Sequence, residues 1–298
     1  MAPEFELDTA GRRVLSRARI GMLALHGAEH PLVNPAVYQY AAGSVWMTTS
    51  RHAVKVSMLR KDPRASFLVT GSDRALLLQG LAEVYDPLTL SGQVRAALEA
   101  PTFYPSLARY GLKNLNFVAG YLLDLARIPR QWWPQNRVAI RLRPERGRAE
   151  ACPTWPASNP AHVPELPAAI RRSLGGQPVA YLCWSRGGSL LLEPCMWAGD
   201  AHSVVVALGE RGLRGPAGPA PAALVIEYHH QYRATRMAGA CVRGTLERVD
   251  HPAELTRRYG VEGEELGSTF RLRPERVTWW RGFEVNTSKI SQPAERTA

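Results

Sequence analysis

One early segment of the chain combines hydroxyl and basic residues in an order that suits an anion. The residues are Thr48, Thr49, Ser50, Arg51 and Lys55. Arg51 and Lys55 are four positions apart, so a helix would place them on one face, where both can approach the same negative charge. The hydroxyls can donate hydrogen bonds to that charge. The pattern predicts an anion site, and a solvated basic helix face is the alternative.

The flanking sequence predicts how this segment folds. Residues 44–49 have the character of a strand, and residues 53–61 have the apolar spacing of a helix that ends at Asp62 and Pro63. Ser50 is at the expected N-cap position. The first turn of a helix exposes unpaired N–H groups and the positive end of the helix dipole. We therefore expect a phosphate site at a strand–helix junction.

The chain repeats itself. The hexapeptide RLRPER occurs at 141–146 and again at 271–276, and four further pairs of segments, such as VNPAVY and LEPCMW, follow in the same order. Ordered self-similarity of this kind predicts a duplicated domain. The predicted parts are a first domain at 1–150, a proline-rich linker at 151–165 with the boundary near 160, and a second domain at 166–298.

Each copy contains about six short apolar or alternating runs separated by only a few residues. A parallel sheet would need a helix after nearly every strand, so we expect antiparallel barrels, mainly β with a few helices. The first copy also carries an insertion of about 19 residues before its RLRPER, with apolar residues at helical spacing. It predicts either a packing helix or a lid over a ligand site.

Composition limits the function classes. The 298 residues are 45% hydrophobic and carry a net charge of +11, with 20 basic against 12 acidic residues in the first 150. Such an excess suits nucleic acid, an anionic surface or a phosphorylated small molecule, but no nucleic-acid-binding motif is present, so nucleic acid is not an expected partner. Four cysteines without metal-ligand spacing predict free thiols and no metal site. Without a signal peptide or an apolar span, we expect a cytoplasmic protein and no membrane partner.

The order of these features resembles the pyridoxamine 5′-phosphate oxidase-like, FMN-binding split-barrel superfamily, and most closely its branch of flavin/deazaflavin oxidoreductases. The resemblance rests on PxVxPxxY at 31–38, a strand that ends in threonine, Lys55 eight residues before the proline of Asp-Pro-Arg, and an apolar run into Gly80. It is clear over residues 8–90. It implies two tandem split β-barrels, which are Greek-key, antiparallel domains.

The resemblance also implies a site. It assigns the cofactor to Asn34, Pro35, Val37, Thr48, Thr49, Ser50, Arg51, Lys55 and Gln79. The strand–helix junction would hold the phosphate, the strand around Asn34 would run along the flavin ring, and Gln79 would lie near that ring. The implied activity is hydride transfer between FMN and a small organic substrate, with no catalytic residue assigned.

The second copy departs from this pattern. It has Gly-Glu-Arg at 209–211 and a proline-rich run where the first copy has its junction and helix. Glutamate would repel a phosphate and the prolines would not allow the helix. We therefore expect one working site per chain, with the second copy as its wall in an internal pseudo-dimer. A further homodimer stays open.

Three alternatives remain open from the sequence. The cofactor could be the deazaflavin coenzyme in place of FMN. It could be haem, held by His52 or His229, since some split-barrel relatives bind haem through a histidine. The third alternative is a non-catalytic ligand-binding or regulatory module.

Overall fold

The computed structural model describes residues 7–152, 159–163, 165–199, 202–209, 215–229, 233–250, 252–262 and 266–290. The first half contains six strands, which begin within about two residues of the predicted runs; five of them also end within about two residues, and the sixth continues about seven residues further. They are β1 (Ile20–Leu25), β2 (Leu32–Ala41), β3 (Ser44–Ser50), β4 (Arg64–Thr70), β5 (Arg74–Tyr85) and β6 (Arg137–Ala151). They close into an antiparallel barrel in the order β1-β2-β3-β6-β5-β4.

The second half repeats this order. Its strands are β7 (Ala180–Arg186), β8 (Ser189–Gly199), β9 (Val204–Leu208), β10 (Ala220–Tyr228), β11 (Ala238–Arg248), β12 (Ser268–Arg281) and β13 (Glu284–Lys289). Six of them close as β7-β8-β9-β12-β11-β10, and β13 pairs with β12 outside the barrel. The predicted fold class, two tandem six-stranded antiparallel barrels, is confirmed.

The RLRPER repeat has a structural reason. In each barrel it lies on the strand opposite a glycine where the register of the ladder shifts. A Cβ at Gly80 would lie 1.9 Å from the Arg143 carbonyl oxygen, and a Cβ at Gly244 would lie 1.8 Å from that of Arg273. Only glycine allows this close approach of two backbones.

The helices differ more between the two halves than the strands do. The first half has α1 (Thr9–Arg17), α2 (Val54–Lys61), α3 (Leu90–Leu98), α4 (Ala100–Lys113) and α5 (Leu115–Leu123), followed by three short 3₁₀ turns before β6. The second half has α6 (Ala168–Gly175) and α7 (Ala253–Tyr259). The predicted insertion therefore begins with α5 and ends in the 3₁₀ turns. No helix in the described part of the chain is long and apolar enough to cross a membrane.

The barrels pack against each other through an apolar cluster that draws residues from both. It joins Met22, Ala24, Val33, Leu68, Ala75 and Leu77 to Cys183, Leu190, Leu192, Ala223, Val225, Cys241 and Trp280. The Ser66 hydroxyl and the Gln79 amide both donate to the Leu190 carbonyl, at 2.7 and 2.6 Å. Two barrels packed in this way within one chain form an internal pseudo-dimer.

The domain boundaries stay a prediction. β6 continues to Ala151 and α6 begins at Ala168. Residues 153–158 and 164, which make up much of the predicted linker, lie outside the described residues.

Candidate functional site

The predicted junction exists, but its helix begins later than expected. β3 ends at Ser50 and α2 begins at Val54, with Ala53 as an N-cap that offers no side-chain hydrogen bond. The prediction that Ser50 caps the helix is wrong. The Ser50 hydroxyl donates to the Gln131 carbonyl at 2.6 Å and accepts a hydrogen bond from the His52 N–H at 3.2 Å. It therefore binds a carbonyl of the insertion and does not cap α2.

Arg51 is bound to a carboxylate of the chain itself. Its guanidinium donates to both oxygens of Asp86, at 2.9 and 3.1 Å, and Arg60 donates to the same carboxylate at 2.6 Å. The Asp86 side chain is only 3% exposed. Burial raises the pKa of Asp86, but the Leu88 N–H and the two guanidiniums outweigh burial and hold that pKa below its ordinary value. Arg51 therefore fixes the junction to the end of β5.

Lys55, one turn into α2, has a different environment. It is partly buried, and its ammonium makes no hydrogen bond or ion pair with any residue that the structure describes. Burial, and next the positive charge of Arg137, lower the pKa of Lys55 to about 8. Two cations held near each other without a carboxylate between them form an electropositive site.

Arg137 and Thr48 form the floor of this electropositive site. Arg137 is the first residue of β6 and donates to the Thr48 carbonyl at 2.9 Å and to the Thr48 hydroxyl at 2.8 Å. The Thr48 hydroxyl in turn donates to the Tyr110 hydroxyl at 3.2 Å. Thr49 points the other way, because side chains alternate along a strand, and it is buried.

The insertion covers the junction. Gln131 of the insertion binds Ser50, and the Arg137 guanidinium lies 5.4 Å from the centre of the Tyr121 ring on α5. Tyr110, which meets Thr48, lies on α4 just before the insertion. Farther along, Asp124 accepts from Arg233 at 2.5 Å and from Thr235 at 2.7 Å, so the second barrel holds the insertion in place. The insertion therefore packs against both barrels and also covers the electropositive site.

The predicted ring strand, β2, presents its residues on two faces. Asn34 pairs with Leu23, whose side chain lies in the core of the first barrel, so Asn34 shares that inner face. Pro35 and Val37 lie on the outer face, which continues from Val33 at the contact between the barrels. Of the three predicted residues on β2, Pro35 and Val37 therefore lie on the face that meets the second barrel.

Gln79 is not brought to the junction. It lies on β5 opposite Arg146 of β6, nine residues along that strand from Arg137, which pairs with Ser50. Its amide is bound to the second barrel through the Leu190 carbonyl. The structure therefore uses Gln79 in the contact between the barrels.

The two candidate haem ligands are far from equivalent. His52 lies exposed in the turn between β3 and α2. His229 follows β10, and its Nδ1 lies 2.9 Å from a carboxylate oxygen of Glu227. That hydrogen bond raises the pKa of His229 above its ordinary value, against the effect of burial. Trp197 and Trp279, two large aromatic side chains of the second barrel, lie in the core of that barrel.

Sequence reasoning missed Arg137, Tyr110 and Tyr121 as members of this site. Two signals pointed towards them. Arg137 begins the strand that contains RLRPER, and Tyr110 belongs to an Arg-Tyr-Gly motif that recurs at Tyr259. Neither signal shows that these residues meet Thr48, because the contacts of Tyr110 and Arg137 with Thr48 join residues about 60 to 90 positions apart.

The corresponding place in the second barrel has a different composition. β9 reads Val-Val-Val-Ala-Leu and carries no hydroxyl, and the described residues that follow it, Gly209 and 215–219, form no helix. A Cβ at Gly215 would lie 2.1 Å from the Phe270 ring, so this part of the chain packs directly on that aromatic side chain. Glu210 and Arg211 lie outside the described residues.

No family model matches the chain, and no curated protein matches it. Solved structures do. They include a FAD-binding protein from Mesorhizobium loti (18% identity, 49% of this chain and 96% of that one, TM-score 0.35). An F420 reductase matches at 20% identity over 48% of this chain and 98% of its own, with a TM-score of 0.31. A protein of the pyridoxinephosphate oxidase family from Clostridium acetobutylicum matches at 13% identity over 48% and 86%, with a TM-score of 0.31.

Each of these structures spans about half of this chain. At these identities and TM-scores, the function must be inferred from this chain's own residues.

Proposed function

We propose that the protein is an oxidoreductase that uses a flavin-type cofactor, FMN in the first instance, to act on a small organic substrate. The phosphate would bind at the junction of β3 and α2, and the ring would extend along the outer face of β2 towards the second barrel. When bound, the cofactor supplies the redox chemistry, and the chain supplies binding, orientation and exclusion of water.

The observation that carries the proposal is the pair Lys55 and Arg137. A partly buried cation without a counter-charge is costly, and a cation beside it adds to that cost. A phosphate dianion would remove both costs, accept a hydrogen bond from each cation and raise the pKa of Lys55 back towards its ordinary value. The site therefore fits the phosphate of FMN.

The fit modifies the residue assignment. Lys55, Arg137 and Thr48 would hold the phosphate, with the N–H groups at the start of α2 as further donors. Ser50 and Arg51 would shape the junction through Gln131 and Asp86 rather than bind the ligand. Pro35 and Val37 would lie along the ring.

The deazaflavin coenzyme carries an acidic tail, which free arginines within residues 127–148 could bind. Several of these arginines are already paired: Arg141 with Glu99, Arg143 with Glu83 and Glu99, and Arg148 with Glu150. This pairing leaves less free positive charge for a tail, and it favours FMN as the first ligand to test.

Fluorescence titration with FMN and with riboflavin tests the phosphate site. The parent protein should bind FMN at least about 100-fold more tightly than riboflavin, since two charge-assisted contacts contribute about 1.5–3 kcal/mol each. Lys55→Glu should abolish that preference. Lys61→Glu is the matched control, because it makes the same charge change on the exposed end of the same helix.

Equal binding of FMN to the parent and to Lys55→Glu would show that the phosphate binds elsewhere. The absorption spectrum of the purified protein separates the remaining candidates. A flavin double band supports FMN, a single band supports the deazaflavin, and a Soret band supports haem. A protein that binds none of them is a non-catalytic module.

A further inference from the structure

A buried carboxylate with a half-exposed histidine lies on the face of the second barrel that meets the first. Along β10, Ala223 and Val225 belong to the apolar cluster between the barrels, and Glu227 is the next residue on that face. Glu227 is 8% exposed. One of its carboxylate oxygens pairs with His229, and the other is buried without a partner among the described residues.

This arrangement differs from a surface ion pair. A surface pair keeps both charges in water, whereas here the carboxylate is buried and the imidazole side chain is 45% exposed. An unpaired buried carboxylate oxygen costs free energy that an apolar residue at this position would avoid. A carboxylate that holds one imidazole nitrogen leaves the other nitrogen free to exchange a proton, which is the arrangement of a general acid or base.

The surroundings place this pair beside the proposed cofactor strand. β10 and β11 pack against β2, whose outer face carries Val33, Pro35 and Val37 and no charged residue. Among the described residues of the second barrel, Tyr181 is a further titratable group that interacts with Glu227, and its hydroxyl lies 3.3 Å from that of Thr70. The segment that follows His229 holds the insertion through Arg233 and Asp124.

We propose that His229 is the proton donor to the substrate in the cleft between the barrels, and that Glu227 is its positioning residue. This proposal rests on the proposed function. The imidazolium Nε2–H bond breaks, an O–H or N–H bond forms on the substrate, and the neutral imidazole regains its proton from water. Glu227 keeps the hydrogen bond to Nδ1 throughout and stabilises the charged ring.

The first test needs no activity. A ¹⁵N NMR titration of the histidine rings, with His229 assigned from the His229→Gln spectrum, gives its pKa in the parent and in Glu227→Gln. Removing the carboxylate's charge should lower the pKa of His229 by about one unit, the usual size of such an effect. His30, which lies 3.4 Å from Glu275, is the control, and its ring signals should be the same in the parent and in Glu227→Gln.

The second test uses two electron acceptors on the FMN-loaded protein after reduction with dithionite. Menadione takes up protons with its electrons, whereas ferricyanide does not. His229→Gln should slow menadione reduction by about 100-fold, within the range for general acids, and should leave ferricyanide reduction unchanged. Rescue of the menadione rate as the pH falls would mark a missing proton donor. His30→Gln is the control and should match the parent with both acceptors.

An unchanged pKa of His229 in Glu227→Gln would overturn the positioning role. Equal menadione rates in the parent and His229→Gln, or no menadione reduction by a parent that reduces ferricyanide, would overturn the proton-donor role. Failure to bind FMN at all would instead overturn the proposed function, which the Lys55 variants decide independently.

Discussion

The two barrels share a scaffold and differ at one junction. Both place a cation over an aromatic ring on their second strand, Lys113 over Tyr38 at 4.1 Å and Arg258 over Trp197 at 4.2 Å. Each cation also donates to a carbonyl at the end of the first helix of its barrel, Leu15 at 2.9 Å and Gln177 at 2.7 Å. Lys113 follows the Arg-Tyr-Gly motif of the first barrel, whereas Arg258 is the arginine of that motif in the second barrel. Both barrels therefore have a cation over the aromatic ring, although it comes from a different position in the sequence.

The segment after the third strand, in contrast, differs between the two barrels. The first barrel has Thr48, Lys55 and Arg137 there, whereas β9 of the second barrel is apolar and the described residues after it form no helix. Both barrels need the residues that hold their strands together, whereas the proposed phosphate site uses residues of the first barrel alone. The comparison therefore separates residues that hold a barrel together from residues that a ligand would need.

The largest expected effect concerns what the barrels share. Gly80→Val and Gly244→Val should each lower the free energy of unfolding by more than about 3 kcal/mol, because a Cβ would lie within 2 Å of a carbonyl oxygen. Gly218→Ala is the control, since a Cβ there meets no atom within 4 Å. Urea unfolding measures both. Tolerance of valine at either glycine would contradict the shared role of the repeat.

The next effect concerns the insertion, which belongs to the first barrel and is bound to the second. Asp124→Asn should lower the free energy of unfolding by about 3 kcal/mol, because it leaves the partly buried Arg233 without its counter-charge. Asp62→Asn breaks an exposed pair with Arg64 and should cost less than about 1 kcal/mol.

Thermal unfolding of the Asp124→Asn and Asp62→Asn variants gives the two costs, and a double-mutant cycle with Arg233→Met isolates the pair. Equal costs at the two sites would mean that the insertion is not held by this contact.

The smallest expected effect concerns Lys55 at the junction of β3 and α2, which has no counterpart among the described residues of the second barrel. The pKa of Lys55 is lowered to about 8 in the ligand-free protein, so its charged fraction falls about tenfold between pH 7 and pH 9. FMN binding needs the charged form, and its dissociation constant should therefore rise by about tenfold over that range. In Lys55→Arg the rise should vanish, because arginine stays charged. A titration series at four pH values checks the slope, and a flat parent profile would exclude Lys55 from the phosphate site.

The sequence predicted the barrel better than the site, for a physical reason. Strands such as β1 and β5 can be predicted from apolar or alternating runs that are bounded by turn-forming residues such as Gly, Pro and Asp. These signals depend only on residues a few positions apart. The roles of Ser50 and Arg51 depend on Gln131 and Asp86, which lie 81 and 35 positions away. A hydroxyl or guanidinium binds whichever partner the tertiary fold brings closest, and local pattern holds no information on that choice.

The roles of Arg137 and Gln79 could not be predicted from the sequence for the same reason. The charge of Arg137 becomes relevant to Lys55 only because β6 closes the barrel beside β3. Gln79 was assigned to the ring by resemblance, yet the second barrel of this chain presents the Leu190 carbonyl to it. In this chain, the position that the resemblance assigned to the ring makes a contact between the barrels.

The covalent link between the barrels has a consequence for dilution. In a dimer of separate chains, a site built across the contact comes apart by mass action when the protein concentration falls below the dissociation constant of the dimer. Here β2 and β10 are parts of one polypeptide, so their effective concentration is set by the linker and does not change with dilution. Occupancy of a cleft between them should therefore follow only the concentration of free ligand, down to the lowest protein level at which it can be detected.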